Sequence, residues 1–243
     1  MTYKSIESGS GRPLIMLHGI FGHASNWRDT VDKLSDEYRA IALELPYLEL
    51  ANKDLGVGNL TNYVLNFADS TGLDKAVYIG NSLGGHIALD IAIKARDRID
   101  ALVLTGSSGL FEKGYEEDLQ IHPKKPYVRK KVGELFFDQA LVTDELVDSV
   151  FNALSDKKNR LKAIRLFKAA KSYNVKSLLG LIDCKTLLVW GRQDLITPED
   201  VALEFNKMIK GSTLEFIEDC CHAPMMEHPE RFVNLVSGFL SEL

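Results

Sequence analysis

A serine set between two glycines, at Gly80-Asn81-Ser82-Leu83-Gly84, is the residue of this chain best placed to act as a nucleophile. The apolar run Val77-Tyr78-Ile79 precedes it and the helix-like run Ile87 to Ile93 follows, so the pentapeptide spans a strand-to-helix turn. Glycines two residues either side let the backbone pack closely there. They allow the serine a strained conformation that lifts its hydroxyl above the sheet edge. Leu83 N–H, at the helix start, is an unpaired donor where the helix dipole favours developing negative charge. A serine needs a base, and the base needs an anionic partner to orient it. Asp194, in Gly191-Arg192-Gln193-Asp194, and His222, in Asp219-Cys220-Cys221-His222, each follow an apolar strand-like run. The order Ser82, Asp194, His222 suits convergence above a parallel sheet. The second donor for an oxyanion is expected from His18-Gly19-Ile20-Phe21-Gly22, at Ile20 or, one residue on, at Phe21. Of the aromatics Phe21, Trp27, Phe136, Phe137 and Trp190, only Phe21 is expected to line the substrate pocket, the others being read as core.

Each position has a plainer reading. Ser82 can be an ordinary turn residue, and Asp194 can cap the helix that Pro198 introduces. Five histidines compete with His222: His86 is read as packing beside the turn and His18 as making structural hydrogen bonds. His23 and His122 are read as surface or pocket-edge residues, and His228 as the start of a helix at Pro229.

The elements that must position these groups alternate. Strands are expected at Thr2 to Glu7 (an edge), Pro13 to Leu17, Tyr38 to Leu43, Lys75 to Ile79, Ile99 to Gly106, Lys185 to Gly191 and Thr213 to Ile217. Helices are expected at Ser25 to Leu34, Leu60 to Thr71, after Ser82, after Pro198, and at Pro229 to Leu243. Such alternation implies βαβ crossovers and an α/β fold with a mostly parallel, doubly wound sheet. Between Leu110 and Leu179 no strand pattern occurs. Amphipathic helices are expected there at Tyr127 to Phe137, Thr143 to Leu154 (Thr143 as N-cap) and Arg160 to Lys171. The chain therefore divides into a core, 1–109 and 180–243, and a helical cap insertion, 110–179. Ligands of such sheets bind beyond the carboxyl ends of the strands.

A net charge of −5 over 243 residues, without a long basic run, argues against a nucleic-acid partner. Three cysteines, two of them adjacent, form no disulfide framework or zinc spacing and suit the cytoplasm. The amino terminus has no apolar signal core, and no apolar run reaches membrane-spanning length. The expected partner is a small-molecule substrate. Oligomeric state is not legible.

Through HGIFG (18–22), GNSLGG (80–85), WGRQDLITP (190–198) and CHAPMMEHPERF (221–232) the chain resembles the α/β-hydrolase superfamily, specifically its cap-bearing serine hydrolases. The resemblance covers essentially the whole chain apart from the variable cap. It implies Ser82 as nucleophile, His222 as base, Asp194 as orienter, and Ile20 and Leu83 as oxyanion donors, with no metal or organic cofactor. Serine rather than aspartate at 82 argues against the haloalkane dehalogenase and epoxide hydrolase branches. The lack of HGGG argues against hormone-sensitive-lipase-like esterases. Two departures stand out. Cys221 replaces the usual glycine and would be strained if that position needs a positive φ. The loop Glu44-Leu45-Pro46-Tyr47-Leu48-Glu49 replaces a pattern close to D-x-P-G-x-G.

Three functions are compatible with these residues. The leading expectation is hydrolysis of a small, fairly apolar carboxylic ester through an acyl-enzyme. The second is carbon–carbon hydrolysis of ring-fission (meta-cleavage-type) diketone acids. Asn81 and the segments Phe136-Phe137-Asp138 and Val142-Thr143-Asp144-Glu145-Leu146 are similar to that branch, although Ala223 stands where it commonly has tryptophan. That reaction needs a cationic or polar cap contact for the substrate carboxylate, for which Arg165 and Arg160 are the candidates. The third is a non-catalytic small-ligand receptor on the same fold.

Overall fold

Apolar runs bounded by glycine, proline or charge become strands, and the amphipathic runs between them become helices. The computed structural model describes residues 2–111 and 123–243. In chain order the elements are β1 (Ser5–Ser8), β2 (Arg12–Leu17), α1 (Arg28–Leu34), β3 (Tyr38–Leu43), α2 (Val57–Ser70), β4 (Ala76–Asn81), α3 (Leu83–Lys94) and β5 (Ile99–Thr105). Then come α4 (Lys125–Gly133), α5 (Asp144–Ser155), α6 (Lys157–Ser172), β6 (Lys185–Gly191), α7 (Glu199–Met208), β7 (Thr213–Ile217), α8 (Pro224–Glu227) and α9 (Pro229–Leu240).

The seven strands lie in the order β1-β3-β2-β4-β5-β6-β7. Only β1 runs antiparallel, against β3; the remaining pairs are parallel. Alternate residues of a strand feed opposite faces. Ile15 and Leu17 therefore join the apolar cluster under α2, α3 and α7, through Leu60, Ile87 and Phe205. Leu14 and Met16 join the opposite cluster, under α1 and α9, through Val31 and Phe232. Burial on both faces explains why β2 and β4 read as continuous apolar runs. The parallel strands also bring the loops after β2, β3, β4, β6 and β7 to one edge.

Between β5 and β6 the described chain is helical. Thr143 Oγ1 accepts from Leu146 N–H at 3.2 Å at the start of α5, as its position suggests. Asp156 Oδ1 does the same for α6, accepting from Asn159 N–H at 2.8 Å. The helix expected through Phe137 stops at Gly133 instead. Glycine is a poor helix former, and Gln139 Nε2 donates to the carbonyls of Gly133, at 3.1 Å, and Phe136, at 2.7 Å. Those bonds turn the chain and satisfy carbonyls that a longer helix would have used. Val128, Val132 and Val147 pack into one apolar cluster, while Leu166 and Ala170 of α6 reach the other. The helices between β5 and β6 thus contribute to both apolar clusters. No helix among the described residues is long and apolar enough to cross a membrane.

Candidate active site

Ser82 joins β4 to α3 with φ 53° and ψ −117°, a conformation that costs a residue with a side chain about 1–3 kcal/mol. Its glycine neighbours permit the turn. A Cβ at Gly80 would lie 2.4 Å from the Gly84 carbonyl oxygen, and one at Gly84 would lie 2.0 Å from that of Leu17. Hydrogen bonds hold the strained residue on both sides. Ser82 N–H donates to Thr105 O at 3.2 Å, and its carbonyl accepts from the amides of Ser108 and His86, both at 3.1 Å, and from Ser108 Oγ at 3.2 Å.

Asp194, in the loop after β6, is almost fully buried. Its Oδ1 accepts from the amides of Ile196, at 2.8 Å, and Thr197, at 2.9 Å. Its Oδ2 accepts from Thr197 Oγ1 at 2.9 Å and lies 2.8 Å from His222 Nδ1. One oxygen thus shapes the loop and the other meets the imidazole, so the turn-forming and histidine-orienting readings of Asp194 are compatible. With a carboxylate at Nδ1, the proton belongs there and Nε2 is the basic nitrogen. The histidine backbone is fixed at both ends: its N–H donates to Leu135 O at 3.0 Å, and its carbonyl accepts from Asn81 Nδ2 at 2.9 Å. Asn81 also donates to Thr105 O at 3.1 Å, so the residue before Ser82 fastens the turn to the histidine loop.

The loop after β2 passes beside Ser82. A Cβ at Gly19 would approach Ser82 Oγ to 3.5 Å. His18, fully buried, holds this loop: Nδ1 lies 2.8 Å from Gly19 O, and Nε2 accepts from Leu45 N–H at 2.9 Å. Burial, the largest influence, lowers its pKa and keeps it neutral. Phe21 sits at φ 62°, and its N–H is taken by Tyr47 Oη at 2.8 Å. Ile20 N–H has no partner among the described residues. Of the two sequence candidates for the second donor, only Ile20 is left with an available amide.

Ser82, His222, Ile20 and Phe21 line one cavity under the insertion. Its walls include Val128, Val132, Phe136, Leu146, Val150 and Leu154 from the insertion, and Phe167 of α6, whose ring lies 6.2 Å from that of Phe21. The polar lining residues are Asn26, Asn81, Ser82, Tyr127, Lys131 and His222. Lys131 is the one lysine or arginine among the described lining residues, and it pairs with Glu134 at 3.1 Å.

The other expectations fall as follows. Arg160 is buried, donating to Leu154 O at 2.6 Å, and Arg165 is exposed; neither lines the cavity. Trp27 and Trp190 are core residues and Phe137 is half exposed, whereas Phe136 does reach the cavity. His86 is buried and stacks on Tyr173 with centroids 5.5 Å apart, and burial pushes its pKa down to about 4. His23 pairs with Glu44 at 3.0 Å, and His228 Nε2 lies 3.0 Å from Asp219 O. His122 lies outside the described residues. Cys221 is not among the positive-φ residues, so this loop places no such strain on it, and its thiol lies 3.1 Å from Gln193 O. Burial raises that thiol to about 11. Among the described residues no cluster of histidine, cysteine and carboxylates is placed to hold a metal ion.

A family model described as alpha/beta hydrolase fold matches residues 12–229. The chain is 29% identical to the 2-hydroxymuconate semialdehyde hydrolase of Pseudomonas sp. (strain CF600), over 97% of this chain and 89% of that protein. It is 28% identical to the 2-hydroxy-6-oxo-2,4-heptadienoate hydrolase of Pseudomonas putida (strain F1), over 97% and 91%. Among solved structures it is similar, with a TM-score of 0.82 and 30% identity, to an alpha/beta hydrolase enzyme from the sediment metagenome of the Mar Chica lagoon, Morocco. That alignment covers 100% of this chain and 96% of the other.

Proposed function

Since the chain belongs to the alpha/beta hydrolase fold family and is a hydrolase, we propose that it cleaves a carbon–carbon bond beside a ketone in a 2-hydroxy-6-oxo-dienoic acid. The observation that carries this is the pair of relatives matched along nearly the whole chain. Neither substrate in their names contains an ester, so hydrolysis there must break a carbon–carbon bond. The sequence alone puts ester hydrolysis first, and these relatives favour the carbon–carbon reading instead.

In this proposal Ser82 Oγ attacks the ketone carbon and His222 Nε2 takes its proton, while Asp194 holds the imidazole. The amides of Leu83 and Ile20 hold the oxyanion, each worth about 3 kcal/mol in the transition state. The bond to the neighbouring carbon then breaks. In the 2-oxo tautomer, where the 2-hydroxyl proton has moved to the carbon beside the 6-oxo group, the bond's electron pair spreads through the remaining double bond onto the 2-oxo oxygen, which takes the proton from His222. Water, deprotonated by the same histidine, releases the acyl group from Ser82. Lys131 faces the substrate carboxylate, and residues 110–179 act as a cap that keeps bulk water from the carbanion. The reduced cysteines suit the cytoplasm.

Ester hydrolysis stands as the second reading because Lys131, already paired with Glu134, is the one lysine or arginine among the described lining residues, and neither Arg160 nor Arg165 lines the cavity. One assay separates the two. Purified protein and Ser82→Ala are given a 2-hydroxy-6-oxo-dienoate, followed by loss of its dienolate absorbance, and p-nitrophenyl butyrate. The proposal expects the acid to be the better substrate by kcat/KM and both activities to vanish with Ser82. Rapid ester turnover with an inert acid would move the ester reading ahead. Lys131→Met should raise KM for the acid about 10- to 100-fold, the loss of one charge-assisted contact, and leave the neutral ester unaffected.

A further inference from the structure

One side chain of the 221–232 stretch, given no role by the sequence reading, joins the histidine loop to the helical insertion. Glu227, the last residue of α8, directs one carboxylate oxygen to each of them. Its Oε1 accepts from Cys221 N–H at 2.6 Å, with the Cys220 thiol at 3.6 Å. Its Oε2 accepts from the amides of Phe137, at 2.6 Å, and Asp138, at 3.2 Å, both in the segment between α4 and α5. Alongside, His222 N–H donates to Leu135 O at 3.0 Å. Residues 135–138 and 221–222 are therefore one hydrogen-bonded unit organised around a single carboxylate.

The chemistry of the position calls for a carboxylate. Each described hydrogen-bond partner of Glu227 is a donor, and only an ionised acid offers acceptors on both oxygens without a proton of its own. Charge-assisted bonds to backbone amides are also the stronger kind. A residue that merely capped its own helix turn would not reach across 90 positions to the insertion.

We infer that Glu227 is a positioning residue that locks the segment between α4 and α5 to the histidine loop and so holds His222 in register with Asp194 and Ser82. The inference rests on the reading of His222 as the base. It makes the 135–138 segment, between α4 and α5, a fixed point of the insertion, since displacing it would pull on the amide of His222 itself.

The test uses a reaction that needs an activated serine but not the natural substrate. A fluorophosphonate probe forms a serine–phosphorus bond with loss of fluoride. Its labelling rate is followed across about pH 5 to 9 for wild type, Ser82→Ala, Glu227→Ala and the isosteric Glu227→Gln, with thermal unfolding measured alongside. Glutamine keeps the shape but turns an NH2 group toward amide donors on one side. The expectation is that folded Glu227→Gln labels at least about tenfold more slowly, with its acidic limb displaced from that of wild type. A purely structural role would lower the unfolding temperature and leave rate and pH profile unchanged well below it. That result, with wild type labelled normally, overturns the inference and spares the base assignment. A wild type that resists labelling, or a Ser82→Ala that accepts it, overturns both. If Glu227→Ala fails to fold, the glutamine variant decides.

Discussion

Two histidine–carboxylate pairs sit at the same edge of the sheet, and they are nearly equal in length. His222 Nδ1 lies 2.8 Å from Asp194, and His23 Nδ1 lies 3.0 Å from Glu44. Their surroundings differ. The side chains of Asp194 and His222 are 0% and 7% exposed, whereas those of Glu44 and His23 are 28% and 54% exposed. Asp194 is held by three donors besides the imidazole, and the His222 backbone is tied at both its N–H and its carbonyl. Glu44 accepts from Ala24 N–H at 2.7 Å and lies within 3.8 Å of His18, but its imidazole partner faces solvent and lines no part of the Ser82 cavity. Distance between the two groups therefore says little about role. What separates the proposed orienting pair from the exposed one is whether the rest of the imidazole is fixed and where it faces.

The largest effect that would break this contrast is on Asp194. Asp194→Asn keeps the loop acceptor at Oδ1 but offers an NH2 group to His222 Nδ1. The proton then moves to Nε2 and the base is lost. Turnover should fall by about 10⁴-fold while the unfolding temperature moves only slightly. Glu44→Gln, assayed beside it, should stay within about threefold of wild type, since it touches no reacting atom. Comparable losses in the two variants would erase the distinction, and a loss below about tenfold for Asp194→Asn would remove it from the orienting role.

The same contrast explains what could be read from sequence. Elements whose pattern is local came out closely: β3 and β7 coincide with the runs Tyr38 to Leu43 and Thr213 to Ile217. The G-x-S-x-G turn and the order of Ser82, Asp194 and His222 were legible because motif and strand end coincide. Features set by distant partners were not. The choice between Ile20 and Phe21 depends on Tyr47, 26 residues away, and the fastening of the histidine loop by Asn81 spans 141 residues. The end of α4 depends on a glutamine side chain folding back, and α8 is a single turn between Pro224 and His228-Pro229 that no periodicity could reveal. Arg160 looked like a substrate contact because charge is visible in sequence, while its use on Leu154 O inside the insertion is not.

The smallest effect is the most specific to the exposed pair. Burial alone would raise the Glu44 carboxyl, but the hydrogen bonds from His23 and Ala24 N–H and the nearby histidine charge outweigh it and bring it down to about 2 from 4.5. His23 moves the opposite way, above 6.5, chiefly through its hydrogen bond to Glu44. A carboxylate depressed in the folded state stabilises above its unfolded value and loses that contribution as pH falls toward 2. A histidine raised in the folded state stabilises below 6.5 and loses its contribution as pH rises through the folded value. The two overlap between about pH 4.5 and 6.5. Glu44→Gln should therefore cost most stability inside that window, about 1 kcal/mol once solvent screening is allowed for, or about 2–4 °C in unfolding temperature. The difference from wild type should shrink on both sides of the window and with added salt. A cost that is flat with pH would mean that Glu44 acts through its neutral hydrogen bond to Ala24, leaving charge as the property of the buried pair alone.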